Sequence, residues 1–69
     1  MTWGTYEQWW TLWSGEIRRA RLYRPHYMAK WSARIIPGDG GVTQRIRLDP
    51  ALTEEEAKLV VQTLAGAQL

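Results

Sequence analysis

Tyr27-Met28-Ala29-Lys30-Trp31-Ser32-Ala33-Arg34-Ile35-Ile36 reads with a period of two: Tyr27, Ala29, Trp31, Ala33 and Ile35 fall on one side, Met28, Lys30, Ser32 and Arg34 on the other. Successive side chains of a strand point to opposite faces, so this pattern predicts a strand with one face buried. Pro37-Gly38-Asp39-Gly40-Gly41 follows as a cluster of turn residues. Val42 to Leu48 then alternates again, with Val42, Ile46 and Leu48 opposed to Thr43, Arg45 and Arg47. The two runs predict a hairpin. Asp49-Pro50 ends it, because proline has no N–H to give to a ladder.

Beyond the hairpin, Thr53 and Glu56 stand at capping-box spacing, in which each side chain satisfies the other's free backbone N–H. Glu54, Glu55 and Glu56 fill the first turn, where negative charge suits the helix dipole. Ala57, Val60, Val61 and Leu64 recur at i, i+3, i+4 and i+7, and Gly66 suits the C′ position. A helix over about residues 53 to 65 is expected. Before the hairpin, Ala20 and Leu22 alternate with Arg19, Arg21 and Tyr23, which predicts a strand over about 16 to 24, closed by Pro25. The amino-terminal segment reads two ways. Thr5 and Gln8 repeat the capping-box spacing and Tyr6, Trp9, Trp10 and Trp13 follow helical spacing, giving a short helix. Tryptophan also favours strands, and Thr5 to Ser14 can pair with the next strand through a turn at Ser14-Gly15-Glu16.

The expected fold is therefore α+β, one small domain over residues 1–69: a three-stranded antiparallel sheet, a carboxy-terminal helix packed on one face, and a short Trp-rich helix or fourth strand at the amino terminus. Ala20, Leu22, Ala29, Trp31, Ala33, Ile35, Val42, Ile46 and Leu48 would meet the helix stripe. The opposite face would gather Arg19, Arg21, Lys30, Ser32, Arg34, Thr43, Arg45 and Arg47. A one-residue slip in any strand would bury arginines without partners, so the pattern fixes the register.

The charges are as uneven as that division implies. Over the whole chain the formal charge is +2, but residues 17 to 48 hold eight cations, Arg18, Arg19, Arg21, Arg24, Lys30, Arg34, Arg45 and Arg47, against one acid, Asp39. Both flanks are acidic. Arginine forks match phosphate and carboxylate in a bidentate manner, so an anionic partner is expected, either DNA or an acidic protein surface. A solvated basic face facing only water and the chain's own acidic helix is the bland alternative. Arg19, Arg21, Lys30, Arg34, Arg45 and Arg47 are the candidate contacts, and a sheet narrow enough can carry them into a major groove. Tyr23, Tyr27 or an exposed tryptophan would add stacking on an unpaired base. Trp31 lies on the apolar side and is read as core. Trp9, Trp10 and Trp13 exceed what a small core needs and are divided between a lid on the sheet and a protein interface. Trp9 and Trp13, four apart on a helix, would also suit a homodimer about a two-fold axis.

Composition bounds the rest. Sixty-nine residues with 45% hydrophobic and 23% charged content suit one folded globular unit. There is no cysteine and a single histidine, His26, so neither disulfides nor a protein-only zinc site is expected, and no cofactor motif is present. No apolar run nears the roughly 20 residues of a membrane span. Met1-Thr2-Trp3-Gly4 lacks the basic-then-apolar order of a signal peptide, which gives a cytoplasmic expectation. Nor is an enzyme expected. His26, between Pro25 and Tyr27, is the sole imidazole available to any serine or threonine. The Gly38-Asp39-Gly40-Gly41 loop lacks the strand-loop-helix setting and the lysine of a phosphate-binding loop.

The residues Lys30-Trp31-Ser32-Ala33-Arg34-Ile35, then Arg45-Ile46-Arg47-Leu48, then Thr53-Glu54-Glu55-Glu56-Ala57 resemble the three-stranded DNA-binding (arm-binding) domains of phage integrases and the plant ethylene-response type. The likeness spans about residues 17 to 65. It implies a phage or mobile-element protein whose sheet enters the major groove, with Arg19, Arg21, Lys30, Arg34, Arg45 and Arg47 near DNA. The Trp-rich amino-terminal segment departs from that pattern. The element order is also similar to double-stranded RNA-binding domains, but Glu54, Glu55 and Glu56 stand where those carry lysines. Size and aromatic content also fit a small inhibitor of a host protein or nucleoprotein complex, similar to anti-CRISPR proteins, which would use the basic face and the Trp cluster.

Overall fold

The computed structural model describes residues 1–26, 29–37 and 41–67. Five strands form one antiparallel sheet in sequence order: β1 (Thr2–Tyr6), β2 (Trp9–Ser14), β3 (Ile17–Tyr23), β4 (Ser32–Ile35) and β5 (Gln44–Ile46), followed by helix α1 (Glu54–Ala67). The sheet thus has five strands where three were expected, and the two additional ones come from the segment read as a Trp-rich helix.

The helical reading of that segment fails at the turn. Glu7 and Gln8 form a two-residue connection in which Tyr6 faces Trp9, and Glu7 takes φ 58°, the left-handed conformation such turns need at their first central position. The next connection repeats the device: Ser14 faces Ile17 across Gly15-Glu16, and Gly15 takes φ 62° at no steric cost. The turn at Ser14-Gly15-Glu16, the alternative to the helix, is the one formed. Between Leu12 and Trp13 the register with β3 shifts by one residue, so that Leu12 faces Ala20 and Trp13 faces Arg18.

The cores of β3 and β4 follow the alternation. Leu12, Ala20, Leu22, Trp31, Ala33 and Ile35 are buried on one face, where Ala57, Val61 and Ala65 of α1 meet them. Trp3, Trp10, Ile46, Leu48 and Leu52 pack around this cluster. Three expectations about the core are corrected. Val42 precedes β5 and is 86% exposed, because the strand begins only at Gln44. Val60 and Leu64 lie at the outer flank of α1, and the buried row is Ala57, Val61 and Ala65. Large rings supply the volume from the sheet side, so small helix residues allow the close approach. Gly66 lies inside α1 and is not its C′ residue. The strands expected over 16 to 24, 27 to 36 and 42 to 48 are shorter, and Tyr27 together with the Gly38-Asp39-Gly40 part of the turn lies outside the described residues.

The start of α1 forms as its spacing implies. The Thr53 N–H donates to Glu56 Oε1 at 2.9 Å and the Glu56 N–H donates to Thr53 Oγ1 at 3.2 Å. The hydrogen bonds from the Thr53 backbone, then from its side chain, hold the Glu56 carboxyl below the usual glutamate range. Three indoles then fasten the helix region to the sheet. Trp3 Nε1 donates to Gln62 Oε1 at 3.1 Å, Trp10 Nε1 to Glu54 Oε1 at 2.9 Å, and Trp31 Nε1 to the Leu52 carbonyl at 3.3 Å.

Candidate nucleic-acid interface

With α1 covering one side, the other face of the sheet is built by register alone. Gly4 faces Thr11, Thr11 faces Arg21, Arg21 faces Arg34, and Arg34 faces Arg45. One residue from each strand thus forms a row across the sheet, and three of the five are arginines. Two residues along the strands runs a second row, in which Tyr6 faces Trp9 and Tyr23 faces Ser32. The Trp9 and Tyr23 rings, on neighbouring strands, are 5.4 Å apart and tilted by 40°.

The two rows are joined by contacts between cations and rings. The Arg21 guanidinium lies 4.5 Å from the centre of the Trp9 ring and the Arg34 guanidinium 5.6 Å from it. The Arg18 guanidinium lies 5.4 Å from the Tyr6 ring. Such contacts orient the charge without neutralising it. Arg19, Arg21 and Arg34 are half-buried and Arg18 and Arg45 exposed, so the stems cover the sheet while the face remains cationic. Beneath them Thr11 is fully buried, flanked along β2 by Trp9 and Trp13 on the same face, and its Oγ1 has no hydrogen-bond partner among the described residues. The Nε atoms of Arg19 and Arg21 are likewise buried and unpartnered there. No Asp or Glu occurs in any of the five strands. Among the described residues the ion pair formed is on α1, where Lys58 Nζ and Glu54 Oε2 are 3.6 Å apart.

Of the expected contacts, Arg19, Arg21, Arg34 and Arg45 share this face. Lys30 and Arg47 lie outside the strands, just before β4 and just after β5, and are exposed. They flank a separate cleft of about 630 Å³ together with Trp31, Leu48, Asp49 and Pro50. The Trp cluster is divided by the strand period. Trp9 and Trp13 are on the cationic face, and Trp13 lies over Gly4, its Nε1 at 3.8 Å from where a Cβ would stand. Trp10 is on the helix side, bonded to Glu54 and capped by Lys58, whose Nζ is 3.4 Å from its ring centre. A single interface built from Trp9, Trp10 and Trp13 is therefore not what the fold presents, and the helical pairing of Trp9 with Trp13 across a two-fold axis loses its premise.

Tyr6 and Arg18 also belong to this face, although the sequence pattern placed Tyr6 on a helix and Arg18 only within the general basic block. The signal for Tyr6 was its position opposite Trp9, visible only once Glu7-Gln8 is taken as a turn. His26 is exposed in the bend after β3. Among the described residues no group of three His, Cys, Asp or Glu side chains is placed to hold a metal ion, and no helix is long and apolar enough to cross a membrane. Compared with protein-family models, curated proteins and solved structures, the chain matches none.

Proposed function

We propose that this chain is a non-enzymatic nucleic-acid-binding module that uses the open face of its sheet. The observation that carries this reading is the placement of Arg21 and Arg34 over Trp9, in a face whose strands contain no carboxylate. Guanidiniums held by a ring are oriented in advance, so less side-chain freedom is lost when they meet phosphate. The face offers charge and aromatic surface but no nucleophile beside a base, which suits recognition rather than turnover.

The test is a titration of a labelled oligonucleotide by fluorescence anisotropy at several salt concentrations. Four arginines, Arg19, Arg21, Arg34 and Arg45, on phosphates give an expected slope of log affinity against log salt of about −3 to −4. Replacing Arg34 and Arg45 by glutamine should reduce that slope by about 1.5 to 2. No binding at low salt, or a slope near zero, refutes the reading.

The second reading, an inhibitor of a host protein or nucleoprotein complex, now rests on the same surface, since Trp9 and Trp13 share it with the arginines while Trp10 is engaged with α1. A partner captured from lysate that survives nuclease treatment and is lost with Trp13→Ala favours it over the first.

A further inference from the structure

The two rows on the open face differ in chemistry, and that difference selects among nucleic acids. Resting on the nucleic-acid reading above, we infer that the ligand is single-stranded: bases stack along the row of Tyr6, Trp9 and Tyr23, and phosphates follow the row of Arg21, Arg34 and Arg45. The rows run across the strands about 7 Å apart, the rise of two strand residues. A duplex hides its bases inside the helix and shows a ring row only their edges, so against a nucleic acid this aromatic surface can stack only where bases are unpaired.

The width of the sheet points the same way. Four inter-strand spacings separate β1 from β5, which is about 19 Å from strand axis to strand axis. The major groove of B-DNA is about 12 Å wide. The cationic row begins at β3, but β1 and β2 extend the same surface beyond it, and their Tyr6, Trp9 and Trp13 would meet the groove wall. A flexible single strand has no wall to meet. Tyr6 is 47% exposed, with the Arg18 guanidinium 5.4 Å from its ring centre, so an incoming base meets a ring with a cation beside it. Over Trp9 the stacking surface is the outer face of the Arg21 guanidinium, since arginine planes accept bases as aromatic rings do, while its edge N–H groups remain for the phosphate.

The experiment compares a labelled 20-nucleotide single strand, as DNA and as RNA, with the duplex of the same sequence at one salt concentration. The expected result is single-strand binding at least about tenfold tighter than duplex binding. Tyr6→Ala should weaken single-strand binding about five- to tenfold, the lower end for loss of one stacking ring, and leave the salt slope unchanged. Tyr6→Phe should restore it, and matching circular dichroism of both variants shows that the fold is intact. Duplex binding equal to or tighter than single-strand binding overturns this inference and leaves the nucleic-acid reading standing. So does wild-type affinity in Tyr6→Ala. Failure of every oligonucleotide to bind overturns both. Equal affinity for DNA and RNA, or a preference for either, supports the inference provided the single strand exceeds the duplex.

Discussion

The indole of Trp10 donates to the Glu54 carboxylate at 2.9 Å, joining the second strand to the first turn of α1 across 44 residues of chain. Lys58, one turn further along the helix, covers the same ring and pairs with the same carboxylate. Trp10, Glu54 and Lys58 therefore act as one clasp between the amino-terminal hairpin and the helix. Trp10→Phe keeps most of the ring but removes the donor, and it should cost about 1 kcal/mol in urea unfolding. In a double-mutant cycle of Trp10→Ala with Lys58→Met, which removes the ring as well, the coupling should be about 0.5–1 kcal/mol, the range of an exposed cation over a ring.

The buried row of α1 gives a sharper contrast. Val61→Ala, at a fully buried position, should lose about 2 kcal/mol, whereas Val60→Ala, at a position 36% exposed, should lose no more than about 0.5 kcal/mol. Equal losses would mean that the helix is rotated from the orientation described.

The two tight turns make opposite predictions for glycine. Glu7 is held at φ 58°, where a Cβ is strained, so Glu7→Gly should raise stability by about 0.5–1 kcal/mol. Gly15→Ala, at φ 62°, should lower it by about 1 kcal/mol, although open space surrounds the added methyl. Thermal unfolding of both variants decides it.

Acid should weaken the start of α1 in a defined direction. The Glu56 carboxyl is held below its ordinary value by the Thr53 hydrogen bonds, so its ionised form is favoured in the folded state. That contribution is complete above the ordinary glutamate range and is lost as pH falls through the depressed folded value. Unfolding midpoints measured from neutral pH downward should show this decline, and Glu56→Gln, which keeps an acceptor but cannot titrate, should flatten it.

Much of the fold is legible in the residues, and the misreading is instructive. The alternation in β3, in β4 and at Arg45-Ile46 of β5 and the Thr53/Glu56 box correctly mark half-buried strands and a capped helix, because each signal is local. The amino-terminal hairpin is not legible in the same way. A two-residue turn sets residues i and i+3 opposite each other, so Tyr6 and Trp9 carry the spacing of helical neighbours while standing on two strands. Glu7-Gln8 offers no glycine, asparagine or proline to expose the turn. The helix face departs from its pattern for a different reason: Val60 and Leu64 outweigh Ala65 in hydrophobicity, but the space beside the sheet is already filled by Trp3, Trp10 and Trp31. Four of the six expected cations share one face, since alternation places them there. Their partnership with Trp9 depends on the unrecognised hairpin and could not be read in advance.

Arg21, Arg34 and Arg45 stand directly opposite one another on three adjacent strands. Like charges at opposed positions work against strand pairing, by about 0.2–1 kcal/mol for each pair. The free protein is thus less stable than the same backbone would be with a neutral β-branched residue at the exposed Arg45, and Arg45→Thr should raise its unfolding midpoint. Under the proposed function a bound polyanion should reverse that sign by screening the ladder, so the same substitution should lower the midpoint gained on adding oligonucleotide. On the proposed nucleic-acid reading, folding and binding place opposed demands on this one side chain, a trade-off that follows from the strand register.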